Sequence, residues 1–341
     1  MDSNLIKMEL KLARQGNLCK KLVIVDGLPG CGKTMLSSVI NSLNKVEHFN
    51  YSYEIEKLCM LNFLKKIDHH SSKTMIKFQM DLLIYNKMMS REVNFRFSDL
   101  SSVLNSKNKW VYFKRLFSSG DEIIPQKIIQ HNPILHIATH CLTAFSKPLI
   151  LSSLSENMLL INLIRNPLYM IKQNMWNMEN LIGNQRHFAI YYEWEGQKLP
   201  YFFLNQERKM IKATSKEKAI FFLEWARKQS MINDSIYSNK NFYELKFESF
   251  VLNPNKHLDK ISSMLDTSLS KETNKALKKE KIPRKKLSDG RNLSIYKRVG
   301  WEKLNYNTTE EEKNALYDWI TTDISKEAKK SIDWLIEDYY E

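Results

Sequence analysis

Glycine and proline are scarce in this chain, nine and eight among 341 residues, so it is no collagen-like or low-complexity sequence. Cysteine is scarcer still. Cys19, Cys31, Cys59 and Cys141 make no close pair and no metal-ligand spacing. That excludes a disulfide-stapled scaffold and predicts reduced thiols, a cytoplasmic setting and no metal centre. Long apolar runs are missing too: nothing approaches the roughly 18 residues of a membrane span. The opening stretch MDSNLIKMELKLARQGNLCKK has no apolar core for a signal peptide, so no membrane partner is expected. Acidic residues are in deficit, 38 against 52 Lys and Arg, for a net charge of +14. The remaining composition, 43% hydrophobic and 26% charged, is that of an ordinary globular protein.

Three of the few glycines stand almost together, at positions 27, 30 and 32. They lie in LVIVDGLPGCGKTMLSSVI, Leu22 to Ile40. Leu22 to Val25 is an unbroken apolar run, as in a central parallel strand buried on both faces. Gly27 to Thr34 fits the phosphate-loop pattern G-x-x-x-x-G-K-[ST] in full. Met35, Leu36, Val39, Ile40, Leu43 and Val46 then recur at helical spacing, which starts a helix near Lys33. The chemistry follows from the residue types. Glycines let the backbone turn tightly and gather N–H groups on one small anion. The open N–H groups and dipole of the following helix add to that attraction. Lys33 supplies a mobile positive charge, and Thr34 a hydroxyl for a metal or a phosphate oxygen.

Residues 1–20 read as a polar helical lead-in. His48 to Glu56 reads as a second strand, and Lys57 to Met89 as mostly helix. Ile134–Ile137 and Leu159–Ile164 are short buried strands. The first ends at Ala138-Thr139-His140, the second at Arg165-Asn166-Pro167. An open α/β sheet places its ligands at such carboxyl ends. A helix bearing Met170, Gln173, Asn174 and Trp176 follows Pro167. Phe188 to Leu204 reads as a β-hairpin turning at Glu195-Gly196. Its Glu193 and Glu195 suit a cationic group on an acceptor, or the hairpin is an edge decoration. Ala219 to Ile232 is an amphipathic helix and Phe242 to Phe247 a strand. Asn253-Pro254 opens a further helix. Two helices end the chain, with Thr309 and Glu312 as a capping box for the first. Lys271 to Lys303 carries twelve basic residues against four acidic ones. No nucleic-acid module accompanies it, and a polyanionic nucleotide accounts for it with fewest assumptions. The chain reads as one domain, 1–341, with insertions at about 57–130 and 176–215.

The order of phosphate loop, Thr139-His140, Arg165-Asn166-Pro167 and Lys297-Arg298-Val-Gly300-Trp301 resembles the sulfotransferases that use 3′-phosphoadenosine 5′-phosphosulfate (PAPS). Phe247-Glu-Ser-Phe-Val-Leu-Asn-Pro254 is similar to that family's Tyr-Glu-Asp-Leu…Asn-Pro stretch. The resemblance implies an α/β fold, a three-layer sandwich with a central parallel sheet and a P-loop. It implies that Leu28, Pro29, Gly30, Cys31, Gly32, Lys33, Thr34 and Met35 hold the donor's 5′-phosphosulfate. Arg165, Gln173, Lys297, Arg298 and Gly300 then grip the 3′-phosphate, and the product is adenosine 3′,5′-bisphosphate. It implies His140 as base and Lys33 as the cation on the leaving side. No metal takes part. The acceptor is a small molecule or carbohydrate, not a nucleic acid.

Three departures stand out. The loop's positive charge sits at Lys33 rather than at the Gly30 position, Gln173 replaces a serine, and Phe247 replaces a tyrosine. The first departure keeps a rival open, a P-loop kinase with Mg²⁺ and an acidic group such as Asp26. A non-catalytic nucleotide-binding protein is a second rival. Neither the acceptor nor the oligomeric state is legible.

Overall fold

The computed structural model describes residues 11–99, 101–118, 120–181, 184–185, 188–231, 240–285, 287 and 306–341. Its centre is a sheet of five parallel strands, β1 (Lys21–Asp26), β2 (Asn50–Tyr51), β3 (Ile134–Ala138), β4 (Met158–Ile164) and β7 (Phe242–Lys246). They lie in the order β2-β3-β1-β4-β7. β5 (Tyr191–Trp194) and β6 (Gln197–Pro200) form a separate antiparallel hairpin.

β1 is central because its sequence permits nothing else. Leu22 to Val25 have no solvent exposure, and a strand so apolar must have neighbours on both edges and both faces. It pairs with β3 on one side (Leu22 opposite Leu135) and β4 on the other (Val25 opposite Ile161). Right-handed crossovers from β1 toward β3, and from β3 back past β1 to β4, require helices on opposite faces. The contacts agree. Helix Lys33–Ile40 packs with Thr273–Lys279, while Leu142–Ser153 packs with Tyr53–Phe63, His69–Met88 and Ser215–Met231. The result is the three-layer α/β sandwich expected from the sequence.

Several local expectations need correction. Residues 11–20 hold no helix; they run in irregular conformation into β1. Asp81 takes the place of helical bonds there, accepting the Leu18 and Cys19 N–H groups at 2.8 Å each. Only Asn50 and Tyr51 of the predicted second strand pair with β3, and a helix begins at Tyr53. The first carboxyl-terminal helix is capped by Thr308, whose side chain accepts from Glu311 N–H, one residue earlier than predicted. Asn253 precedes its helix without a side-chain cap. The helix predicted to run to Ile232 spans Ser215–Met231, and Ile232 lies outside the described residues. The four cysteines are free and buried, and burial pushes all four thiols up, Cys59 to about 12.

Candidate active site

β1 and β4 are neighbours whose chains leave their carboxyl ends for opposite faces of the sheet. A crevice at that point is where open α/β sheets hold ligands. The loop Gly27–Gly32 lies there, and its shape is enforced. Gly27, Gly30 and Gly32 have φ of 145°, 89° and 101°, values that L side chains rarely adopt. A Cβ on Gly27 would stand 2.4 Å from the Leu163 carbonyl oxygen, and one on Gly32 would stand 2.7 Å from the Phe247 ring. Cys31 N–H closes the turn on Leu28 O at 3.1 Å. Helix Lys33–Ile40 starts from Gly32 with no side-chain cap and no acidic residue in its first turn. Its first N–H groups have no helical partner by geometry. Open N–H groups on such a turn could hold an anion.

Lys33 is buried, and its ammonium donates to the carbonyls of Gly27 and Leu28, the second at 3.2 Å. Gly27 O also accepts the Cys141 N–H at 3.4 Å. One carbonyl oxygen thus joins Lys33 to the residue that follows His140. Thr34 and Met35 are half-buried on the first helical turn.

His140 stands at the end of β3. Its Nδ1 lies 3.1 Å from Glu56 Oε1, and its main-chain N–H donates to the same oxygen at 2.9 Å. Glu56 is buried, on the first turn of helix Tyr53–Phe63. The imidazole stacks on Tyr51 at 5.1 Å and 12°, and Tyr53 follows at 6.4 Å. A carboxylate on Nδ1 assigns the proton to that nitrogen and leaves Nε2 as the basic atom. His140 remains partly exposed.

Arg165 follows β4. One guanidinium nitrogen donates to Gly30 O at 2.9 Å, and the group lies over the rings of Phe247 (4.4 Å) and Tyr169 (5.1 Å). Its buried Nε has no hydrogen-bond partner. Gln173 sits on the same side of the loop, with Oε1 3.3 Å from where a Gly30 Cβ would be. Asn174, fully buried, donates to Pro29 O at 2.9 Å. Loop, Arg165 and Gln173 are therefore brought together. Lys297, Arg298 and Gly300 lie outside the described residues.

Asp26, the acidic residue a kinase reading would use, is committed elsewhere. Its carboxylate is fully buried and accepts Thr139 Oγ1 (2.9 Å), Leu142 N–H (3.0 Å), and Thr143 N–H and Oγ1 (2.7 Å each). It caps the helix Leu142–Ser153 and welds the His140 loop to β1. Among the described residues no group of three His, Cys, Asp or Glu is placed to hold a metal. In the hairpin, Glu195 pairs with Arg208 at 3.5 Å.

Three contributors escaped the sequence reading. Glu56 looks like any acidic residue favoured in a helix's first turn. Asn174 was visible only as a member of its helix. Arg284, hidden in the basic segment, lies 5.3 Å from the Phe247 ring centre, so that ring carries two guanidinium groups, Arg165 and Arg284.

No family model matches the chain, and no curated protein matches it. Solved structures similar to it include a sulfotransferase domain from the curacin biosynthetic pathway, 14% identical, with 94% of this chain and 97% of that one covered and a TM-score of 0.42. A sulfotransferase domain from the Synechococcus PCC 7002 olefin synthase is 10% identical over 98% of this chain and 99% of that one, with a TM-score of 0.41. Sulfotransferase STF9 from Mycobacterium avium is 14% identical over 90% and 78%, with a TM-score of 0.36. These are distant likenesses, all of them to the family that the sequence motifs resemble.

Proposed function

We propose that this chain is a PAPS-dependent sulfotransferase acting on a hydroxyl or amine of a small-molecule or carbohydrate acceptor, with His140 as base. The observation that carries the reading is Arg165. It is a guanidinium with a buried, unpartnered Nε, set beside Gln173 and against a phosphate loop that already has its own cation. Two anion-binding groups side by side suit a donor with two separate phosphates. Mononucleotide chemistry would ask instead for a metal and a free carboxylate, and Asp26 has spent its oxygens on protein donors.

The bound donor supplies a sulfuryl group on a phosphate leaving group. The residues do the rest. Loop N–H groups and Lys33 orient the 5′-phosphate and offset charge as it gathers on the leaving oxygen. Arg165 and Gln173 hold the 3′-phosphate through N–H donors. Glu56 holds the His140 ring, and Nε2 takes the proton from the acceptor's O–H or N–H as the new bond to sulfur forms. Tyr51 and Tyr53 wall the approach to that nitrogen.

Calorimetric titration tests this. The expected result is metal-independent binding of adenosine 3′,5′-bisphosphate, weakened about 10- to 100-fold by Arg165→Ala through loss of a charge-assisted contact. Preference for ATP with Mg²⁺, and indifference to the bisphosphate, would overturn the proposal in favour of a kinase.

A further inference from the structure

The helix Lys109–Leu116 has two unlike faces. Tyr112 and Arg115 point inward. Tyr112 donates to Glu47 Oε2 at 2.6 Å, and Arg115 grips both Glu47 oxygens at 2.8 and 2.9 Å. Trp110, Phe113 and Phe117 follow the spacing i, i+3, i+7 along another face. Phe113 packs against Trp110 with ring centres 5.7 Å apart and against Phe95 at 5.3 Å, both pairs tilted. Among the described residues these rings stand largely in solvent: Trp110 is 67% exposed, Phe117 86% and Phe97, two residues after Phe95, 89%. Single exposed apolar residues need no explanation, but three rings in contact, Phe95, Phe113 and Trp110, bordered in sequence by exposed Phe97 and Phe117, do.

The surroundings select the occupant. Residues 91–118 contain six Lys and Arg against two acidic residues, in a chain of net charge +14. Arg91, Arg96 and Arg115 are paired with Asp121, Asp99 and Glu47 at 3.0, 3.6 and 2.8 Å, and Lys107 donates to the carbonyls of Ser42 and Leu43. Lys109 and Lys114 are exposed on the helix itself, with Lys109 over the Trp110 ring. Lys109 and Lys114, the exposed cations on the helix that carries the rings, call for an anionic partner. The near-complete exposure of Phe97 and Phe117 calls for a medium that closes around protruding rings. A protein interface instead centres its aromatics in packed pockets. Trp and Phe flanked by Lys and Arg are the chemistry of the lipid–water boundary. The face is remote from the candidate active site: its helix is anchored on Glu47 and on His48, before the amino-terminal end of β2, whereas His140 follows the carboxyl end of β3. No described helix is long and apolar enough to cross a membrane, which bears on crossing and not on peripheral docking.

We propose that the aromatic face of Phe95, Phe97, Trp110, Phe113 and Phe117 docks the protein on an anionic lipid surface. The test is co-sedimentation of the full chain with phosphatidylcholine vesicles, with and without about 30% phosphatidylglycerol. Binding is expected only with the anionic lipid, reversed by high salt. The double substitution Phe97→Ser with Phe117→Ser should lower the partition coefficient at least about tenfold. It should leave the circular dichroism and melting temperature unchanged, since both rings lie in solvent. Failure of the wild-type chain to bind anionic vesicles would overturn the proposal, as would undiminished binding by the double variant. A dimer in sedimentation velocity that the double variant dissolves would also overturn it and give the face to a second copy. Capture of a polyglutamate peptide through these rings, with vesicles ignored, would assign it to an acidic macromolecule instead.

Discussion

A single oxygen of Glu56 holds His140 twice, through the ring Nδ1 at 3.1 Å and the main-chain N–H at 2.9 Å. Position and tautomer of the imidazole are thereby set together. His140→Asn should lower kcat about 10²- to 10⁴-fold, the worth of a general base. Glu56→Gln keeps the shape but not the charge, and should lower kcat about 10- to 100-fold. Donor affinity should not change, because neither side chain touches the phosphate loop. The check is kcat beside the dissociation constant for the bisphosphate. Full activity in Glu56→Gln would remove Glu56 from the mechanism.

Gly32 and Phe247 occupy one space. Gly32→Ala must bear both a φ of 101° and a 2.7 Å overlap with the ring, and should cost about 2–4 kcal/mol. Adding Phe247→Ala removes the overlap and not the backbone strain, so part of the loss should return. Urea unfolding of both singles and the double gives the coupling energy. Additive effects would show that the ring does not shape the loop.

Asp26→Asn tests the kinase alternative from the side of stability. The amide presents N–H where the carboxylate accepted one, leaving buried donors unmatched, and about 3 kcal/mol or more should be lost. A variant that unfolds as the wild type does, yet loses Mg²⁺-dependent activity, would restore the metal role.

Acid should unfold the protein early. Asn41 donates to His48 Nδ1 at 3.0 Å and accepts from His136 Nδ1 at 2.7 Å, and both rings are buried. Burial lowers His48 to about 3 and holds His136 well below its usual range. An unfolded histidine binds its proton near about pH 6.5. Below that value the unfolded chain gains protons that the folded chain refuses, so stability falls with falling pH. Each ring contributes about 1.4 kcal/mol per pH unit between roughly 6.5 and its folded value. Stability of His136→Gln, measured by urea at several pH values, should show a slope shallower by about that amount. An unchanged slope would mean that His136 accepts a proton in the fold.

The sheet was legible because buried parallel strands are written as short apolar runs, and the phosphate loop because only glycine serves at its turns. His140, Arg165 and Gln173 were named as candidates through motif order. Glu56 was not, since nothing in Tyr-Glu-Ile-Glu tells which carboxylate turns inward; that depends on how helix Tyr53–Phe63 packs. The role of Asp26 was invisible for the same reason: its four donors come from residues 139–143. Residues 11–20 of the lead-in were misread because polar residues with scattered leucines satisfy a helical pattern, while Asp81 offered the Leu18 and Cys19 amides a better partner.

The phosphate loop is made early in the chain, yet the groups that shape it come late: Leu163, Arg165, Asn174 and finally Phe247. On a ribosome the loop would emerge long before its walls. On the proposed function, the donor would have no complete site in the nascent amino-terminal half and would not stabilise it by mass action before β7 is in place.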